Sequence, residues 1–118
     1  MADDELKIDA VHSYSTGVKG RTLNSARDQH FISDSSHGPA EAPGPVELFL
    51  GGIASCGVQQ AEIIAGELGV PLSRAEVRIE AARKVANTAD LHSVTLRFDL
   101  AGPDREQAGR IVEGYQAR

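Results

Sequence analysis

From Leu48 to Ala61 the chain carries no charged residue, and the run LFLGGIASCGVQQA is apolar on nearly every face of a helix. A helix apolar all round has to be covered on most sides. The run is shorter than the ~20 residues a membrane span needs, and it contains Gln59 and Gln60. It therefore reads as a buried helix of a soluble protein, with no membrane partner. Start signals precede it in Gly44-Pro45-Val46-Glu47. Pro45 suits the first helical position, where its missing N–H costs nothing, and Glu47 lies in the first turn, where the helix dipole favours negative charge. The spacing predicts a helix to about Leu68, capped by Gly69 with Pro71 beyond it. In so small a protein, such a helix points to a second subunit that supplies part of its cover.

A chain of 118 residues falls in the range of one domain with one core. Three Phe, two Tyr and no Trp leave that core aliphatic and alanine-rich, without the aromatic platforms on which nucleobases stack. A formal charge of −5 and a pI near 5.3 oppose binding to nucleic acid or anionic lipid, both of which need a basic patch. One cysteine cannot form an intrachain disulfide, and the N-terminal MADDELKID has neither the basic start nor the apolar run of a signal peptide. The cytoplasm is the expected compartment.

Alternation at Leu6, Ile8 and Ala10 predicts a strand over 6–15, followed by a Gly17-x-x-Gly20 turn and a second extended segment over 21–25. Gln29 to Ser33 reads as a third short strand, and 35–44 as a loop of Ser, Gly, Pro and Ala. Arg74 to Val85 alternates with Val77, Ile79 and Ala81 on one face; His92 to Leu100 repeats the pattern, and a turn near Asn87 to Asp90 joins the two. Pro103, Asp104 and Glu106 open a second helix whose apolar positions are Ala108, Ile111, Val112 and Tyr115. The order β-β-β-α-β-β-α predicts an α+β domain with helices packed on a sheet.

Cys56 is the sharpest chemical feature. On a helix its face is shared by Phe49, Gly52, Ile53, Gln59, Gln60 and Ile63. Burial alone makes a thiol inert, whereas a cation or hydrogen-bond donors stabilise the attacking thiolate; taken alone, a single cysteine on a buried helix is more often a packing residue. Gly51, Gly52 and Gly57 flank it at a cost of about 1 kcal/mol each inside a helix, which either close packing or room for a substrate explains. Glu47, nine residues earlier, falls on the opposite helix face and reads as a helix-start carboxylate. The four histidines (His12, His30, His37, His92) have no metal-ligand spacing, so no metal and no cofactor is expected. His92, in phase with the core-facing positions, reads as a buried or edge histidine satisfied by a hydrogen bond. His30 and His37, near the loop before the helix, leave a His-assisted thiol open. No phosphate-binding or nucleophile-elbow motif is present.

The segment Gly44-Pro45-Val46-Glu47-Leu48-Phe49-Leu50-Gly51-Gly52-Ile53-Ala54-Ser55-Cys56 resembles the central-helix signature of the OsmC/Ohr family, a Pro-x-Glu-Leu start followed by a small, apolar run ending in Ala-Ser-Cys. Gly69-Val70-Pro71-Leu72, the hairpin Gly20-Arg21 and the Ala101-Gly102-Pro103 entry to the second helix continue the pattern across nearly the whole chain. The resemblance implies a single OsmC-like domain over 1–118, with an N-terminal hairpin or meander, a long buried central helix, an antiparallel strand pair and a second helix. It also implies an intertwined homodimer. Active members of the family are thiol peroxidases: the helix cysteine attacks an organic hydroperoxide, a second cysteine condenses with the sulfenic acid, and a dithiol reduces the disulfide.

By that resemblance, Cys56 matches the peroxidatic cysteine. The Ohr glutamate, ten residues before its cysteine, is Val46 here, and Glu47 matches the adjacent position. In the Ohr Gly-Arg-x-Gly-Arg hairpin the first arginine is replaced by Val18, and the second survives as Arg21. The C-terminal region with the second cysteine is not represented. These departures place the sequence in the broader OsmC-like group; Arg21, Arg27 or a partner-subunit residue is left to supply the positive charge. Two functions follow as expectations: a peroxidase of organic and fatty-acid hydroperoxides acting through Cys56, with Arg21 and Glu47 as secondary candidates, or a non-catalytic dimer that binds a small apolar ligand.

Overall fold

The computed structural model describes residues 4–118; residues 1–3, the start of the acidic N-terminus, lie outside the described residues. The chain divides into two units, Met1–Leu48 and Phe49–Arg118. Each has its own antiparallel sheet.

The first unit holds β1 (His12–Ser15), β2 (Arg21–Ala26) and β3 (Gln29–Asp34), in the order β1-β2-β3. β1 begins six residues later than the alternation of Leu6 predicts. The register explains this: His12 pairs with Ser25, so Val11 would face Ala26, the last residue of β2, and the residues before it would run past the hairpin. Leu6, Ile8 and Val11 accordingly stand exposed. β2 and β3 join through Arg27-Asp28, with Arg27 in the left-handed region at φ 56°. The β1–β2 turn and the loop after β3 cross with no side chain between them. A Cβ on Gly20 (φ 87°) would lie 2.9 Å from Gly38 Cα, and Ser35 N–H donates to Gly20 O at 2.8 Å.

The helix α1 (Pro45–Leu68) opens on Pro45 as the sequence predicts. Its first turn lies in the first unit and the remainder in the second. There it meets β4 (Arg74–Ala82) and β5 (Ser93–Ala101), paired from Arg74↔Ala101 to Ala82↔Ser93, and α2 (Arg105–Gln116). β4 ends three residues short of the predicted Val85 because pairing stops at Ala82↔Ser93; residues 83–91 form an excursion with a Lys84↔Asn87 bridge, and Val85 is exposed. His92 lies just outside β5 and is exposed, which corrects its reading as a buried residue; at this end of the two-stranded sheet its backbone N–H donates to Ala82 O at 2.7 Å. α2 starts on a reciprocal cap. Gln107 N–H donates to Asp104 Oδ1, and Asp104 N–H donates to Gln107 Oε1.

The core of the second unit is Ala61, Ile64, Ala65, Val70 and Ile111, with Leu72, Ala75, Leu100 and Tyr115 packed on it. α1 and α2 approach closely at Gly114, where a Cβ would come within 3.1 Å of Ile64. Within the single chain α1 buries only Gly57, Ala61, Ile64 and Ala65. Cover on most sides, expected from its composition, is therefore not supplied by this chain, and Phe49 and Ile63 stand 58% and 48% exposed. By length and composition alone α1 would pass as a membrane span, a test that core helices of soluble proteins also pass.

Candidate functional site

The thiol's direction is set by the residue after it. Gly57 is buried against the β4–β5 sheet: a Cβ there would lie 3.3 Å from Val77 Cγ2 and 3.5 Å from Phe98 Cζ. With Gly57 pressed on the sheet, the preceding residue is turned about 100° away from it. Cys56 is exposed, against its expected burial in the helix. It borders a groove of about 550 Å³ lined by Cys56 and Gln60 of α1 and by Tyr115, Gln116 and Arg118 at the end of α2. Tyr115 leans on Phe98 with ring centroids 5.1 Å apart. The three glycines around Cys56 thus divide. Gly57 serves close packing, whereas Gly51 and Gly52 face open space within this chain.

Arg118 brings a guanidinium to the groove. Its Nη1 donates to Gln60 Oε1 at 3.5 Å, and its Nη2 forms an ion pair with Glu67. Sequence reasoning placed Gln60 on the Cys56 face and missed Arg118, whose approach depends on how α2 packs against α1. Helix spacing on α2 gave Tyr115 as apolar, and projecting one further turn was the available signal.

Arg21 lies in the first unit, paired with two carboxylates. Its Nε and Nη2 donate to Asp34 Oδ1 and Oδ2, both at 2.8 Å, and Nη2 also donates to Glu41 Oε1 at 3.0 Å. Asp34, whose side chain is buried, accepts two more bonds, from the N–H groups of Glu41 (3.0 Å) and Ala42 (2.9 Å). Arg21 is the first cause that holds the Asp34 carboxyl far below the usual carboxylate range, against an opposing effect of burial. The same pair of hydrogen bonds raises the Arg21 pKa further. Asp34 was not singled out from the sequence; the two-residue turn after Ala26 in the structure puts Arg21 opposite Asp34.

Val18 and Arg21 border a concavity of about 630 Å³ in the first unit, together with Tyr14, Lys19 and Ser33. Arg27 occupies the β2–β3 turn. Glu47 accepts from Gly44 N–H at 2.9 Å, the return half of a capping arrangement at the start of α1, and Val46 beside it is half-buried. His30 Nδ1 is 2.8 Å from Ser25 Oγ, and His37 Nδ1 is 3.4 Å from Ser36 Oγ.

No curated protein matches the chain in sequence. Among solved structures, the fold is similar to an OsmC-like protein from Mycoplasma pneumoniae (TM-score 0.84, 15% identity, 95% of this chain and 82% of that one). It is also similar to an organic hydroperoxide resistance protein OsmC from Legionella pneumophila (0.73, 15%, 97% and 86%). The organic hydroperoxide resistance protein OhrB of Bacillus subtilis is a third (0.68, 19%, 96% and 86%). At such identities these likenesses establish an α+β OsmC-like fold. The family pattern described as OsmC-like protein matches residues 38–118, a span that holds Cys56 and every other residue of its groove. With that match over more than half its length, the chain belongs to the OsmC-like protein family.

Proposed function

We propose that the protein is a thiol peroxidase that reduces organic hydroperoxides, fatty-acid hydroperoxides among them, through Cys56. The observation that carries this reading is the position of the thiol: exposed, on a groove with an aromatic wall, amides and a guanidinium. The relatives whose names refer to organic hydroperoxide resistance support it. In the reaction, the Cys56 thiolate attacks the terminal oxygen of R–O–O–H. The S–O bond forms, the O–O bond breaks, and its electron pair leaves on the alkoxide, which takes up a proton to become R–OH. Sulfur is oxidised to the sulfenic acid and the peroxide is reduced to the alcohol. An external dithiol then attacks the sulfenic sulfur, releasing water, and its second thiol breaks the mixed disulfide to return Cys56.

Arg21 and Glu47 act in this reading as supports. Arg21 ties β2 to the loop before α1 through Asp34 and Glu41, and Glu47 caps the start of α1. We read 1–118 as one OsmC-like domain, working in the cytoplasm as a homodimer in which the partner covers the exposed apolar side of α1, at Phe49 and Ile63. The open space at Gly51 and Gly52 suits a close approach by that partner.

The test is intact-mass spectrometry of reduced protein, exposed briefly to near-stoichiometric cumene hydroperoxide with a sulfenic-acid trap. Rapid adduct formation at Cys56 is expected, faster than with hydrogen peroxide and absent in Cys56→Ser. An unmodified Cys56 would overturn the reading in favour of a non-catalytic dimer that binds a small apolar ligand. The engagement of Arg21 by two carboxylates is the observation that speaks for this second function.

A further inference from the structure

We propose that Gln60 is the hydrogen-bond donor of the Cys56 site, and that Arg118 is the positioning residue that fixes the orientation of the Gln60 amide. The catalytic part of this inference rests on the peroxidase reading above; the arrangement of donors does not. Cys56 and Gln60 are one helical turn apart on α1 and border the same groove. A glutamine amide has an accepting oxygen at one corner and an N–H₂ with two donors at the other, and a guanidinium has donors only. Arg118 can therefore meet only the oxygen, as it does at 3.5 Å from Oε1. With the oxygen engaged by Arg118, the two donors of the N–H₂ remain available to a group bound in the groove that Cys56 also borders.

Among the described residues, neither the Gln60 amide nitrogen nor the Cys56 sulfur has a hydrogen-bond partner. Arg118 is in turn anchored by Glu67, two turns along α1 from Gln60 on the same face. Through the chain Glu67–Arg118–Gln60 the Gln60 oxygen is held, and its two N–H donors are left to serve a group at Cys56, one helical turn away. Peroxide cleavage makes two demands on such donors. One donor steadies the thiolate before attack, and the other meets the negative charge that develops on the departing alkoxide oxygen. A neutral amide meets both demands and need not itself lose a proton.

The experiment compares reduced full-chain protein with Gln60→Ala, Arg118→Met, Arg118→Lys and the double variant Gln60→Ala/Arg118→Met. Two rates are measured: turnover of cumene hydroperoxide with dithiothreitol, and alkylation of Cys56 by iodoacetamide at pH 7, which needs no peroxidase activity. Gln60→Ala and Arg118→Met are each expected to lose roughly tenfold to a hundredfold in kcat with little change in KM, and to be alkylated more slowly. Arg118→Lys, which keeps a donor-only cation opposite the Gln60 oxygen, retains most of both rates. The double variant falls no lower than Gln60→Ala alone, because Arg118 acts through Gln60. Full rates in Arg118→Met overturn the proposal, as does a double variant that loses the product of the two single losses. Wild-type protein no more active on the hydroperoxide than Cys56→Ser would sink the peroxidase reading alone. In that case alkylation still decides: equal rates in wild type, Gln60→Ala and Arg118→Met overturn the inference, and slower variants uphold its donor arrangement.

Discussion

Among the described residues of the first unit, the Asp34 side chain makes the most hydrogen bonds: two from Arg21 and two from backbone N–H groups, on a buried carboxylate. Its folded pKa is depressed, whereas in the unfolded chain it titrates near the ordinary ~3.9. Stability from this group is therefore fully present above about pH 4 and is lost only as pH falls through the much lower folded value. Asp34→Asn is expected to lower the melting temperature at pH 7 and to flatten its decline on acidification below pH 4; equal pH profiles for variant and wild type would rule out this role. At the β2–β3 turn, Arg27 holds a left-handed conformation that costs a non-glycine residue roughly 1–2 kcal/mol. Arg27→Gly is expected to recover about half of that, measured by urea denaturation. These are also the residues where sequence reading reached least. It found Arg21 as an isolated cation because the acid that occupies it lies on a neighbouring strand, and pairing partners follow only once a register is fixed.

Elements were more legible than contacts. The β4–β5 pair follows from periodicity, α2 from its Pro-Asp start, and α1 from its start and cap signals around an apolar run; all of them contribute to the same core. Periodicity failed where no partner strand was present to use it. Leu6, Ile8 and Ala10 alternate as well as Val77 and Ile79 do, but β2 is too short to pair with them. The extension of β4 to Val85 failed for the same reason, with pairing exhausted at Ala82. The two helices lock together at Ile111 and at the Gly114–Ile64 contact. Ile111→Ala, at a fully buried position, should cost 2–5 kcal/mol, on the order of other large-to-alanine core losses. Gly114→Val should separate α2 from α1 and weaken the Arg118–Gln60 contact, reducing the reactivity of Cys56 without touching it. A Gly114→Val protein that alkylates at the wild-type rate would show that the groove tolerates movement of α2.

At the scale of the molecule, the apolar run that opened the sequence remains half uncovered in one chain, with Phe49 and Ile63 among the exposed side chains of α1. Exposed apolar side chains on one helix fit the proposed dimer surface. Sedimentation at micromolar concentration is expected to give twice the mass of one chain, and Phe49→Asp to shift the equilibrium toward the monomer; a monomeric wild type would refute the dimer. The sequence suggested this association only through a surplus of apolar positions, because composition records how much surface needs cover and not which body supplies it.

Gly57 sets the compass bearing of the sulfur. Because its lone hydrogen lets α1 rest on Val77 and Phe98, any bulky side chain there would rotate the helix about its axis and swing Cys56 off its groove. On the peroxidase reading, a strain carrying such a replacement would resemble an active-site null in every assay of reactivity, while its cysteine, its glutamine and its arginine all remained in place.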